Sequence, residues 1–289
     1  MLREGDFVSA VVEMVVRAET RLPRDVVAVL REKARIETSR PAKIQYDLML
    51  KNLKIAEKRG RPICQDTGTL TFFVRIGRGL RLGFNVQKAL TRAVAQATAR
   101  VPLRANLVDA LTREPMRNNT GPGHPVVHLE LVDGSGMQLD LLVRGSGAEN
   151  CGRLFMLSPT EGDRGIERAV VGAIREAGGK PCPPTIVGVG IGGSSEASCA
   201  MAKRALLRPL SARNPDSSLE RLEMRIERSA NRLGIGCMGL GGRTTVLGVR
   251  VEKAACHTAS LPVAVAFQCW AARKARARLM DEQLKVVEP

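Results

Sequence analysis

The feature that most constrains this chain is the way its apolar residues change period. Residues 5 to 58 show helix-type spacing in three segments, with Pro23 and Pro41 near the expected helix starts and Gly60 after the last. TLTFFVRIG (69–77) then reads as a strand and NVQKALTRAVAQATAR (85–100) as a helix. VVHLELV and MQLDLLV read as two strands of a hairpin, joined by the turn Asp133-Gly134-Ser135-Gly136. From about 164 the order is helix, strand (TIVGVGI), helix, polar loop and helix, followed by strands near 245–252 and 261–268. The order of the sheet cannot be read from this pattern. The alternation predicts an α/β (α+β) fold, with mixed sheets flanked by helices and a helical N-terminal region over about residues 1–60. No repeat, low-complexity tract or linker stands out, so one domain spanning 1–289 is expected.

Several function classes fit poorly. Arg17, Lys43 and Arg144 interrupt the candidate apolar stretches, none of which reaches the roughly 18 residues a membrane helix needs. The opening MLREGDFVSAVVEMVV has acids within its apolar part and no small-residue cleavage site, so it reads as an amphipathic helix of a cytoplasmic protein. A net charge of +16 asks for an anionic counterpart. Nucleic acid is one candidate, but aromatic content is only 3%, too low for base stacking, and the basic residues are dispersed apart from RPLSAR and AARKARAR. Acidic metabolites, an acidic protein surface or simply a solvated basic face remain.

Four loop-like segments hold most of the chemistry: CQDTGT (64–69), NNTGPGHP (118–125), GSGAEN (145–150) and GIGGSSE (190–196). Each mixes glycine, which permits close backbone approach, with neutral donors suited to carboxylate oxygens. Any one of them could be ordinary turn chemistry. Gly188, Gly190 and Gly193 also satisfy G-x-G-x-x-G between a strand and a helix, the context of a dinucleotide site. Against that, the strand ending in an acid that such a fold needs about 20 residues on is replaced by RPLSARNPD.

The cysteines at 64, 151, 182, 199, 237, 256 and 269 form an odd, widely spread set, which suits reduced thiols better than a disulfide framework. There is no C-x-x-C, so zinc ribbons and ferredoxin runs are excluded. Three distant thiolates could still hold a cubane with one iron open, although spacing alone does not choose them.

Taken together, CQDTGT, VPLRANLVD, NNTG, GSGAEN, SPTEG, CPPTIVGVGIGG and HTASLPVAVAFQC resemble, in order, the N-terminal half of class I fumarases over about residues 40–275. L-tartrate dehydratase is similarly built. The resemblance implies a fold of the class I fumarase N-terminal-domain type and a hydro-lyase α subunit. It further implies a [4Fe–4S] cluster on Cys64, Cys182 and Cys269, whose open iron acts as a Lewis acid toward the leaving hydroxyl. Cys237, in the glycine-rich GIGCMGLGG, is the competing ligand.

In the same comparison Gln65 and Asp66 match a substrate-facing and site-organising pair, Asp66 being counted with the catalytic residues. Arg104 matches a carboxylate-binding arginine. His257, twelve residues before Cys269, matches the active-site histidine that protonates or binds the leaving hydroxyl. Gly145 and Gly147 would present backbone N–H groups to substrate, with Asn118 and Thr120 supporting the pocket; His124 is a weaker match. The expected partners are a small dicarboxylate and a β subunit, as an α2β2 assembly, with the proton-abstracting base on the β chain. The GSGAEN segment looks more like fumarases, so hydration of fumarate to L-malate is the first reading and L-tartrate dehydration the second.

Overall fold

A computed structural model describes residues 2–288. Its helices are α1 (Glu4–Thr20), α2 (Arg24–Ile36), α3 (Arg40–Arg59), α4 (Val86–Arg100), α5 (Ser146–Glu149), α6 (Gly162–Ala177), α7 (Ser195–Ala205) and α8 (Ser217–Asn231). Its strands are β1 (Thr69–Gly77), β2 (Val126–Val132), β3 (Met137–Arg144), β4 (Arg153–Leu157), β5 (Thr185–Ile191), β6 (Val246–Lys253), β7 (Leu261–Gln268), β8 (Lys274–Met280) and β9 (Gln283–Glu288). The fold is α+β with a helical N-terminal region, as the periodicity predicts. Among the described residues no helix is long and apolar enough to cross a membrane.

The chain forms two compact units that interleave along the sequence, which is why no linker is legible in it. One comprises Met1–Pro23, Asn52–Gly145 and Arg273–Pro289; the other comprises Arg24–Lys51 and Ser146–Ala272.

In the first unit a five-stranded sheet has the order β2-β1-β3-β8-β9. Alternate residues of the central strands (Leu70, Phe72, Val74 and Ile76 of β1; Leu139, Leu141 and Val143 of β3) form one core with Phe7, Val11 and Val15 of α1 and Leu90 and Val94 of α4. Asn85 caps α4 by accepting the Lys88 N–H, satisfying a donor the helix leaves open.

One expectation fails here: β2 and β3 are not a hairpin. β1 lies between them, parallel to β2 and antiparallel to β3. Its run of buried residues suits an interior position, whereas the half-exposed β2 suits an edge. The turn at 133–136 therefore wraps the end of β1, with Gly77 and Gly79 N–H donating to the carbonyls of Gly136 and Gly134.

The basic C-terminal stretch also changes meaning. KARARLM is strand β8, an interior strand of the sheet, with Arg273 and Lys274 buried and Arg276 paired with Asp140. Those charges are not a free basic surface.

The second unit contains a four-stranded sheet, β4-β7-β5-β6, in which β5 and β6 are parallel and the other pairs antiparallel. Val187, Val189 and Ile191 of β5 face a core with Ile166, Val170 and Ile174 of α6 and Leu222 and Ile226 of α8. The opposite side of β5 meets α7. A Cβ at Gly188 would lie 2.0 Å from the Ala202 carbonyl oxygen, and one at Gly190 2.1 Å from that of Ser198. These two glycines therefore bring the helix against the strand.

Candidate functional site

The sequence-predicted site residues divide between the two units, each of which holds one set. In the first unit the segment Cys64-Gln65-Asp66 is tied down at both ends. Ile63 donates its N–H to the Glu19 carbonyl at 2.8 Å, and its own carbonyl accepts from Asn52 Nδ2 at 2.7 Å. At the other end the Asp66 carbonyl accepts from Arg273 Nη2 at 2.8 Å, while Asp66 Oδ1 accepts the Gly68 N–H at 2.9 Å, an Asx-type turn. Glycine is required on both sides of this turn. At Gly68, where φ is +71°, a Cβ would sit 2.5 Å from the Arg144 carbonyl oxygen, and a Cβ at Gly145 would sit 2.8 Å from Asp66 Oδ2.

A polar network joins this segment to two others. Thr67 Oγ1 accepts from the Arg104 N–H at 3.1 Å and from Asn106 Nδ2 at 3.0 Å. Asn106 Nδ2 also reaches the Gly68 carbonyl at 3.1 Å, and its N–H donates to Asn119 Oδ1 at 3.0 Å. Thr98 Oγ1 donates to the Asn118 carbonyl at 3.1 Å, and Thr120 Oγ1 to the Arg117 carbonyl at 3.4 Å. Asn118 and Asn119 have φ of 61° and 54°, a region asparagine tolerates better than most residues. The network thus brings together the backbones carrying Gln65, Asp66, Arg104, Asn118, Thr120 and Gly145, with the side chains of Gln65 and Arg104 exposed.

Beneath this segment lies a buried ion pair, Arg273 Nη1 to Glu19 Oε2 at 2.7 Å, with the two side chains 1% and 0% exposed. Burial raises the Glu19 carboxyl above its ordinary range, with Arg273 opposing.

The second unit carries Gly147, Cys182, His257 and Cys269. Cys182 adopts φ 52°; its N–H donates to the Gly179 carbonyl at 3.1 Å and its carbonyl accepts the Trp270 N–H at 3.2 Å. That last bond sets Cys182 beside the residue that follows Cys269. Gly147 abuts the same turn, since a Cβ there would lie 2.8 Å from the Lys180 carbonyl oxygen. The glycine-rich loop 236–242 packs on it as well. Met238 N–H donates to the Pro183 carbonyl at 2.7 Å, and a Cβ at Gly239 would meet Gly179 Cα at 2.8 Å. Glu37, buried, fixes the far end of that loop by accepting the N–H groups of Thr38, Ser39 and Arg243 at 2.8–2.9 Å. Burial alone would raise the Glu37 carboxyl, but those backbone donors hold it below its usual range.

His257 is exposed on the turn between β6 and β7, where Nδ1 accepts the Ala259 N–H at 3.1 Å, leaving Nε2 to carry the proton of the neutral ring. The turn is joined to the GIGGSSE segment, because Gly193 and Gly192 donate their N–H groups to the carbonyls of Ala255 and Pro262. These are amides a bound phosphate would need. Glu196 in the first turn of α7 further opposes an anion there, so the dinucleotide reading loses its physical basis. His124 is half-buried in the loop before β2.

All seven cysteines are thiols, and they fall into three environments. Cys64, Cys182 and Cys269 are half-buried; Cys151 and Cys237 are buried; Cys199 and Cys256 are exposed. Burial, with Glu37 nearby, pushes the Cys237 thiol up to about 12, so its thiolate is harder to form than that of an ordinary thiol. Among the described residues no group of three or more His, Cys, Asp or Glu side chains could hold a single metal ion. Cys64, Cys182 and Cys269 each present soft sulfur that is neither sealed in a core nor fully in water.

Sequence reasoning missed the bracing residues. Thr67, Asn106 and Asn119 lie within the motifs that were legible, where a small polar residue flanking a glycine was the available signal. Glu19, Glu37, Asn52 and Arg273 had none.

The family model described as Fumarate hydratase (Fumerase) matches residues 8–278. A Methanocaldococcus jannaschii protein provisionally named L(+)-tartrate dehydratase subunit alpha is 41% identical over 95% of this chain and 98% of its own length. The L(+)-tartrate dehydratase subunit alpha of Escherichia coli strain UTI89 is 40% identical over 90% of this chain and 86% of its own. That of strain K12 is 39% identical over 88% and 84%. With residues 8–278 matched and about two in five positions shared with these relatives, the chain belongs to the fumarate hydratase (Fumerase) family of hydro-lyases, whose relatives include α subunits of L(+)-tartrate dehydratase.

Proposed function

We propose that this chain is the α subunit of a two-subunit hydro-lyase that acts on a four-carbon dicarboxylate through a [4Fe–4S] cluster held by Cys64, Cys182 and Cys269. The observation that carries the cluster assignment is the sorting of the cysteines: the three in the matching motifs are the three that are half-buried. When bound, such a cluster with one iron not ligated by cysteine supplies a Lewis acid for the substrate hydroxyl. Arg104 offers a planar fork to a substrate carboxylate and Gln65 a neutral donor and acceptor. Asp66, its orientation fixed by Gly68, organises the substrate end of the loop. His257 Nε2 holds the proton that the departing hydroxyl needs. Removal of the proton next to the carboxylate needs a positioned base, which we assign to the β subunit; the name "subunit alpha" of the relatives supports a partner.

Fumarate/L-malate is the first substrate reading, on the GSGAEN segment. L(+)-tartrate is the second, favoured by the names of the relatives. The test uses anaerobically purified chain with its β subunit. Iron and sulfide are expected at about four each per chain, lost in Cys64→Ser, Cys182→Ser and Cys269→Ser and retained in Cys151→Ser and Cys199→Ser. Initial rates with malate and both tartrate enantiomers then decide the substrate. Bound zinc without sulfide, or a dispensable Cys269, would overturn the cluster assignment; full turnover by the isolated chain would overturn the need for a β subunit.

A further inference from the structure

We propose that the buried Glu19–Arg273 pair is a positioning clamp that fixes the Cys64-Gln65-Asp66 segment from below, setting where its thiol and side chains stand. This rests on the reading above only in the purpose given to Cys64; the clamp itself is a matter of geometry within one unit.

Arg273 has two roles that only a fork can combine. Nη1 meets Glu19 Oε2 at 2.7 Å and Nη2 meets the Asp66 carbonyl at 2.8 Å. Position 19 also acts through its backbone, since its main-chain carbonyl accepts the Ile63 N–H at 2.8 Å, a bond that side-chain variants at 19 keep. Glu19 therefore holds residue 63 directly and residue 66 through Arg273, so that Cys64 and Gln65 are suspended between two fixed points. The Arg273 carbonyl accepts the Val143 N–H at 3.1 Å, which anchors the clamp to β3, the strand leading to Gly145.

A buried pair of this kind is by itself weak evidence of a contribution to fold stability. Glu19 Oε1 is buried with no hydrogen-bond partner among the described residues, an imperfection that offsets much of the attraction. Buried ion pairs can often be replaced by apolar residues of similar volume without loss of stability. What an apolar pair cannot supply is a donor aimed at the Asp66 carbonyl.

The double variant Glu19→Leu/Arg273→Met separates the two roles. In the metal-free full-length chain, alkylation of each cysteine is followed by mass spectrometry, with Cys182 and Cys199 as internal references and thermal unfolding as the check on folding. The expected result is a native-like melting curve with Cys64 modified about fivefold faster or more, because its segment opens locally, and the references unchanged. Glu19→Gln, which keeps an acceptor for Arg273, should stay within about twofold of wild type. If the double variant does not fold, Arg273→Lys is read the same way, since a single ammonium replaces the fork. An unchanged Cys64 rate in the folded variant overturns the clamp, as does equal acceleration at all three cysteines. A faster Cys64 in the variant, in a chain whose wild type never takes up iron and sulfide, would support the clamp and reject the cluster reading.

Discussion

Cys64 and Cys182 are both half-buried thiols on short connections, yet they are held by different physics. Around Cys64 the braces, apart from the backbone bond of Ile63 to Glu19, are side chains: Asn52, Asn106, Thr67 and Arg273 reach across to backbone groups of the segment or of its neighbours. Around Cys182 they are backbone. There a left-handed cysteine bonds through its main chain to Gly179 and Trp270, Met238 bonds to the Pro183 carbonyl, and Gly239 approaches Gly179 closely. A segment braced by side chains can be loosened by degrees, one hydrogen bond at a time. A turn built from apposed backbones tolerates no added carbon, so it should respond steeply.

The comparison is tested most severely at Gly236, in the loop behind Cys182. Its φ is +68° and an added Cβ would lie 1.9 Å from the Gly241 carbonyl oxygen. Gly236→Ala should destabilise the protein by roughly 3–5 kcal/mol, read as a large fall in melting temperature. A loss under about 1 kcal/mol would show that the loop can move aside and that the backbone bracing is not rigid.

Asn106→Ala tests the other mode. It removes donors to Thr67 Oγ1 and the Gly68 carbonyl, and should cost about 1–2 kcal/mol in denaturant unfolding. A cost as large as that of Gly236→Ala would erase the distinction between the two regions.

The smallest effect sharpens the picture through pH. The folded Glu37 carboxyl lies below its unfolded value of about 4.3, so the ionised form is the one that folding favours. Its contribution is complete above the unfolded value and is lost as pH falls through the lower, folded one. Glu37→Gln should therefore lower stability by about 1 kcal/mol at neutral pH and weaken the acid dependence between roughly pH 5 and 3. An unaltered acid limb would mean that the loop 236–242 is not held from Glu37.

Much of this was legible beforehand because it is local. The period of the apolar residues fixes α4, β1 and β5 to within a residue or two, since burial of one face is decided by neighbours a few positions apart. The motifs around Cys64, Arg104, Asn118 and Cys182 are likewise contiguous, and each contains the glycine or asparagine its own turn requires.

β8 was not legible, because an alternating KARAR pattern reads as a solvated basic run until Asp140 is found across the sheet to pair with Arg276. The reading of β2 and β3 as a hairpin failed for a similar reason. Short connections favour pairing in sequence, and only the demand of β1 for cover on both edges reverses that preference. From the sequence came most of the element types and the family, together with the residues proposed for the chemistry. Tertiary structure alone decided what holds them: Glu19 and Arg273 stand 254 positions apart, and hydrogen bonds between such distant groups depend on how sheets and helices assemble rather than on any local spacing.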